Sequence, residues 1–171
     1  SICRDVLEAR GDDASRAGLT VRADLGAAPA AGDARLAERL AANLVGNAIR
    51  HNVPGGWVSA STGIKAGRAV LTVANSGPEI PPAQVGRLFE PFQRLGEERV
   101  GSEGGTGLGL SIVKAVAAAH DAWVHARALP GGGLEVGVHF PPAPSVAAAA
   151  RAAPEVSAGS GDGLQAGHVA G

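Results

Sequence analysis

Four glycines fall within the six residues Gly104-Gly105-Thr106-Gly107-Leu108-Gly109, and Leu110-Ser111-Ile112-Val113-Lys114 runs on into a helical pattern ending near His120. Glycine weakens helix and strand interiors, so such a cluster marks backbone that bends unusually or approaches something closely. Set directly before a helix, it aims free N–H groups and the positive end of the helix dipole at one point. That point suits an anion, and a phosphate is the usual occupant. The spacing is neither a P-loop nor a dinucleotide fingerprint, because no Gly-Lys-Ser/Thr follows and no strand immediately precedes it. Alone, such a turn is a hinge as readily as a phosphate cradle.

A second constellation lies upstream. Arg39, Asn43, Asn47 and His51 recur at i, i+4 and form one line along a helix. The adjacent rows, Leu36-Leu40-Leu44-Ala48 and Ala37-Ala41-Val45-Ile49, are apolar and must face a core, so the asparagines stand at the edge of the buried face. An amide buried without a partner costs free energy. Either these two bond to water or a neighbouring loop, or their carbonyl oxygens hold a hard cation and its phosphates. Mg²⁺ takes oxygen ligands and keeps several waters, so one protein ligand beside phosphate oxygens suffices. Arg50 and His51 stand where they can reach the same phosphates.

The elements that must position these groups are legible in outline. Residues 1–17 have the spacing of one helix, and Leu19–Leu25 alternates as a half-buried strand. Asp33 is a good N-cap for a helix from Ala34 to His51, stopped by Asn52 and Pro54. Strands at Trp57–Ile64 and Ala69–Ala74 flank the turn Ala66-Gly67, predicting a hairpin. Residues 75–104 are irregular apart from a helical piece at Pro82–Phe89. After the glycine cluster and its helix come strands Trp123–Ala128 and Leu134–Phe140, joined through Pro130 to Gly133. This order predicts an α+β fold: a two-layer α/β sandwich whose mixed, mostly antiparallel sheet is covered on one face by three helices. A long loop inside a compact domain is usually either a wrong assignment or functional, and a functional lid is expected here. From residue 142 to 171 the chain is Ala, Gly, Pro and Ser with few large apolar groups, so a disordered tail is expected after a domain at 1–141.

Composition narrows the classes. The 171 residues carry 15 basic against 16 acidic side chains, which leaves no electrostatic footprint for nucleic acid or an anionic membrane. The single cysteine, Cys3, excludes an internal disulfide framework and thiolate metal clusters. No apolar run has membrane-spanning length and no signal peptide opens the sequence, so a cytoplasmic chain without direct membrane contact is expected. The first residue is Ser rather than Met, as in a segment of a longer, membrane-anchored protein.

At this point the motifs resemble a family. Asn43-Leu44-Val45-Gly46-Asn47-Ala48-Ile49-Arg50-His51-Asn52 is similar to the N box of the ATP-binding domain of sensor histidine kinases. Asn75-Ser76-Gly77-Pro78-Glu79-Ile80-Pro81 resembles their first glycine box, and Leu88-Phe89-Glu90-Pro91-Phe92 their F box. Gly105-Thr106-Gly107-Leu108-Gly109-Leu110 resembles the second glycine box, and Gly131-Gly132-Gly133 the closing glycine turn. The resemblance implies the fold shared by gyrase, Hsp90, histidine kinases and mismatch-repair ATPases, with a mobile ATP lid. It implies Mg²⁺ coordination by Asn47, phosphate-side contacts from Asn43, Arg50 and His51, and adenine reading by Asn75. Gly77 then lets the base slide in and Ile80 packs on it. Gly105, Gly107 and Gly109 with Leu108 and Leu110 wrap the triphosphate, Thr106 bonds a phosphate, and Phe89 and Phe92 anchor the lid.

Three positions depart from the family pattern. Asn75 stands where an Asp usually reads adenine, and its neutral amide accepts more weakly and has a donor face to misdirect. Glu79 replaces a glycine, which narrows the turn. Asp121-Ala122 replaces the small pair after the helix histidine, so a left-handed cap is less comfortable there.

The family's phosphoacceptor is a histidine on a separate dimerisation domain, typically followed by an acidic residue and a Leu-Arg-Thr-Pro run, and this sequence contains no such run. His120-Asp121 imitates only its first two residues, and a lone histidine is more often structural. His125, His139 and His168 read as strand or tail residues with no constellation around them. The resemblance therefore implies an ATP·Mg²⁺-binding kinase module that donates the γ-phosphoryl group to a dimerisation domain, signals to a response regulator, and forms a homodimer only in the full-length protein. Two alternatives stay open: an anti-sigma-factor-type serine kinase or ATPase of the same fold, and a non-catalytic module that has lost tight ATP binding.

Overall fold

The structure is a computed structural model that describes residues 1–91 and 109–142. In chain order the elements are α1 (Ile2–Ala9), α2 (Gly11–Arg16), β1 (Thr20–Leu25), α3 (Ala34–Arg50), β2 (Trp57–Lys65), β3 (Arg68–Asn75), α4 (Pro82–Val85), a 3-10 turn (Gly86–Phe89), α5 (Gly109–Ala119), β4 (Trp123–Ala128) and β5 (Leu134–His139). The strands form one sheet in the order β1-β2-β3-β5-β4, with β1 parallel to β2 and every other pair antiparallel. The long helices α1, α3 and α5 pack together over one face, which is the expected α+β sandwich.

Alternation along each strand decides what the helices cover. Val58 and Ala60 of β2, Leu71 and Val73 of β3, and Val136 and Val138 of β5 share the inner face in facing register. They meet Leu40, Leu44 and Val45 of α3 and Val113 and Ala117 of α5. Leu40, Val45, Val58, Val113 and Val138 are almost wholly shielded, and burying such a side chain contributes about 1.5–3 kcal/mol. Small residues supply much of the remainder, as the alanine-rich composition foretells.

Local chemistry sets the element ends. Asp33 accepts from the backbone N–H of Arg35 and Leu36 and caps α3 as expected. Ala66 and Gly67 both take positive φ, 49° and 74°, which a two-residue hairpin turn of the primed type demands. Asp121 takes φ 50°, and the N–H of Ala122 returns to the carbonyl of Ala117 at 2.9 Å. The left-handed helix end is therefore formed without glycine, on one of the few side chains that tolerate it.

Two expectations need correction. The first seventeen residues are not one helix, because Arg10 leaves helical geometry at φ −102°, ψ 2° and a new short helix starts at Gly11. Strand β1 is not half-buried: Thr20 to Asp24 are exposed and only Leu25 is partly covered. It is an edge strand that the core reaches only at its ends, through Leu19 just before it and Leu25, so the alternation between them has little to pack against.

Candidate functional site

Polar groups gather where α3, β3 and the start of α5 end against one another. On β3, Leu71, Val73 and Asn75 share the inner face by alternation, and Asn75 lies in register with Val58 and Leu134. Its amide is thus carried into the space between sheet and helices, where it is 6% exposed. The Asn75 Nδ2 donates to the Ser76 carbonyl at 2.7 Å and to the His51 carbonyl at 3.4 Å. Two backbone acceptors hold the donor end, which leaves Oδ1 as the end of the amide that can accept.

Gly77 is glycine for room rather than for φ. A Cβ there would stand 2.8 Å from the His51 carbonyl oxygen and 3.4 Å from both Asn75 Nδ2 and the Cα of Gly133. The turn at Gly132 and Gly133, each with φ 103°, packs onto the same backbone, and the Gly133 N–H donates to the Pro78 carbonyl at 3.0 Å. Glu79 is exposed and does not appear among the positive-φ residues, so its replacement of a glycine leaves the turn unstrained. Ile80 and Phe89 are partly buried against the core.

The second wall comes from α3. Asn43 and Asn47 are half-buried on its flank, and Asn43 Nδ2 donates back to the Arg39 carbonyl at 2.7 Å. The first residue of α5, Gly109, faces both: a Cβ on it would lie 3.8 Å from Asn43 Oδ1 and 3.8 Å from Asn47 Oδ1. The amide-bearing N-terminus of α5 and two side-chain carbonyl oxygens therefore converge on one place. Leu110 is 6% exposed and buried in the core, so it holds that terminus in position. His51 and Arg50 are exposed at the C-terminal end of α3. Phe92, Gly105, Thr106, Gly107 and Leu108 lie outside the described residues.

Two positioning residues were not singled out in the sequence. Asn52 Nδ2 donates to the carbonyls of Ala48 and Trp57, both at 3.0 Å, and its Oδ1 accepts from Ser76 Oγ at 2.7 Å. Ser76 Oγ in turn accepts from the Trp57 N–H at 2.7 Å. This network ties the end of α3 to the ends of β2 and β3, and thereby sets His51 against Asn75. Both residues sit inside the recognised boxes, but only the fold shows that their role is to join elements.

His120 is not available as a phosphoacceptor. It is 8% exposed, Nε2 accepts from the Asp33 N–H at 3.2 Å, and Nδ1 faces the Val116 carbonyl at 2.8 Å. Both nitrogens are engaged, and the ring joins the end of α5 to the start of α3. A separate apolar cavity of about 620 Å³ opens beside it, against the 26–33 loop and Phe140, at the N-terminal end of α3. It is remote from Asn47 and Asn75. The expectation that His125 and His139 stand alone is also corrected: the sheet brings them together with Trp123 on its outer face. Close by, Arg127 and Glu135 form a two-point pair at 2.7 and 3.0 Å, and the guanidinium holds the Glu135 carboxyl below its ordinary range.

Residues 32–144 match the family described as histidine kinase-, DNA gyrase B- and HSP90-like ATPases. The Sensor protein CutS of Streptomyces coelicolor is 48% identical over 130 residues, covering 75% of this chain and 31% of its own length. The Sensor histidine kinase CpxA of Escherichia coli K12 is 34% identical over 145 residues, covering 80% and 30%. Among solved structures, the mycobacterial sensor histidine kinase MprB aligns at a TM-score of 0.70 and 27% identity over 82% of this chain and 93% of its own. The chain thus spans about 30% of the length of these two sensor proteins. No helix among the described residues is long and apolar enough to cross a membrane.

Proposed function

Because this chain belongs to the histidine kinase-, DNA gyrase B- and HSP90-like ATPase family and corresponds to the ATPase catalytic domain of sensor histidine kinases, we propose that the cleft between α3, the end of β3 and the start of α5 is its nucleotide site. Asn75 Oδ1 accepts from the exocyclic amine of adenine. Gly77 leaves room for the base, with Ile80 against it. The N-terminus of α5 at Gly109, continued by Gly105, Thr106, Gly107 and Leu108, receives the phosphates. Arg50, His51 and Asn43 border them from α3, and Phe89 with Phe92 anchors the intervening segment.

The observation that carries this reading is the placement of Gly109 against both asparagine oxygens. Helix amides suit phosphate, and a neutral carbonyl oxygen suits a hard cation. The side chain of Asn47 makes no hydrogen bond among those found between described residues, so its oxygen fits Mg²⁺ as a ligand. Bound there, the ion supplies charge neutralisation on the phosphates.

Transfer of the γ-phosphoryl group is largely a matter of positioning and electrostatic stabilisation. The chain's part is to hold the nucleotide; the acceptor is a histidine on a dimerisation domain outside this sequence, and the phosphoryl group passes on to a response regulator. The test is a calorimetric titration of the chain with ATP, with and without Mg²⁺. Mg²⁺-dependent saturation is expected, and failure of millimolar ATP·Mg²⁺ to bind overturns the reading.

A further inference from the structure

The outer face of the sheet, opposite the helix layer, carries a cluster unrelated to the nucleotide cleft. Trp123 and His139 are paired across β4 and β5, and their rings stack at 3.9 Å with 13° between planes. His125, opposite Gly137 in the same ladder, leans across it: a Cβ on Gly137 would overlap the His125 ring. The missing side chain therefore lets the second imidazole lie down beside the first. The centres of the two imidazoles are 5.1 Å apart, with 54° between their planes. His125 Nδ1 is buried and, among the described residues, is the one buried side-chain nitrogen or oxygen left without a hydrogen-bond partner.

We propose that His125 and His139 form a two-imidazole site for a borderline divalent transition-metal ion of the zinc or nickel class. Imidazoles bind such an ion at 2.0–2.1 Å, which puts the centres of two rings sharing it tetrahedrally about 5 Å apart. The observed separation of the two rings, 5.1 Å, matches that spacing. Because Nδ1 has no hydrogen-bond partner among the described residues, an ion taken there displaces none. Imidazole also selects this class of ion over Mg²⁺ or Ca²⁺, which prefer oxygen. No group of three or more His, Cys, Asp or Glu among the described residues is arranged around one ion, so water completes the coordination. Arg127 in the same hollow is already paired with Glu135. Lys65, which also lines it, opposes a dication, though solvent and salt screen it. The site is therefore open and exchangeable rather than structural.

Trp123 is a built-in reporter, since it is stacked on one ligand and half exposed. The chelator-treated, nucleotide-free chain carrying Trp57→Phe, which leaves Trp123 as the sole tryptophan, is titrated with Ni²⁺. Saturable quenching that EDTA reverses is expected. His125→Gln and His139→Gln should each weaken it by about tenfold or more, at least what losing a partner that merely orients a ligand costs. Unchanged affinity in both folded variants, or quenching that never saturates, overturns the proposal. Should a variant fail to fold, proton NMR of the unaltered chain decides. Zn²⁺ is expected to move the ring resonances of two histidines that lie near Trp123, and a shift confined to other histidines overturns the site.

Discussion

Gly109 opens α5 directly opposite the side-chain oxygen of Asn47, with 3.8 Å between that oxygen and the place a Cβ on the glycine would take. That separation is ordinary contact, so a methyl group fits the empty protein, and alanine is the better helix former by about 1 kcal/mol. It would also project into the space assigned to phosphate. Gly109→Ala is therefore expected to leave the melting temperature unchanged or slightly raised while weakening ATP·Mg²⁺ binding. Parallel melts and titrations check this, and equal nucleotide affinity would remove the phosphates from this place.

Asn47→Ala separates a ligand from a structural amide. Asn47 is half-buried, its side chain makes no hydrogen bond to another described residue, and alanine favours a helix interior over asparagine. The variant is expected to fold with at least equal stability and to bind ATP with the same affinity whether or not Mg²⁺ is present. A loss of stability without nucleotide, matched by no change in Mg²⁺ dependence, would mark Asn47 as structural.

Asn75→Asp tests the adenine contact. A carboxylate accepts with charge-assisted strength, and the difference from a neutral acceptor is about 1 kcal/mol, or roughly fivefold in affinity. The variant also loses both donor bonds to the His51 and Ser76 carbonyls and with them some stability. The readout is therefore the preference for ATP over a purine nucleotide without the 6-amino group, which should rise. Calorimetry with the two nucleotides measures it, and a uniform change for both would contradict a direct contact.

Ser76→Ala removes the hydroxyl that joins Asn52 Oδ1 to the Trp57 N–H. Leaving such groups unsatisfied costs about 1–3 kcal/mol. Because the same network sets His51 against Asn75, nucleotide binding should fall along with stability, although Ser76 is given no nucleotide contact. Denaturant unfolding and titration of the same preparation check both.

Asp121→Gly should stabilise the chain. Asp121 holds φ 50° at the end of α5, where most residues with a Cβ lose about 1–2 kcal/mol, and aspartate somewhat less, that glycine does not. Part of that gain is offset by glycine's greater freedom when unfolded, about 0.4–1 kcal/mol. A net gain of about 0.5–1 kcal/mol by chemical denaturation is expected, with nucleotide affinity unchanged.

Much of this molecule is local and was legible in the chain. The period of Leu36 to Ile49 fixes which face of α3 is buried, Asp33 fixes where it starts, and the Ala66-Gly67 turn fixes the β2–β3 hairpin. Each follows from contacts within a few residues, which spacing alone encodes. The asparagine line and the glycine cluster announced an oxygen-rich and an amide-rich surface for the same reason. What only the tertiary structure decided is which surfaces meet. Gly109 finds Asn43 and Asn47 because α5 packs on α3, and the Asn75 amide is oriented because the His51 and Ser76 carbonyls take its hydrogens. Trp123, His125 and His139 looked unconnected, being separated by a turn and by alternation along two strands. They became a cluster once β4 and β5 paired in a register that sets His125 over Gly137 and Trp123 on His139. Register and packing depend on the sum of many weak contacts across the whole core, and no local pattern contains that sum.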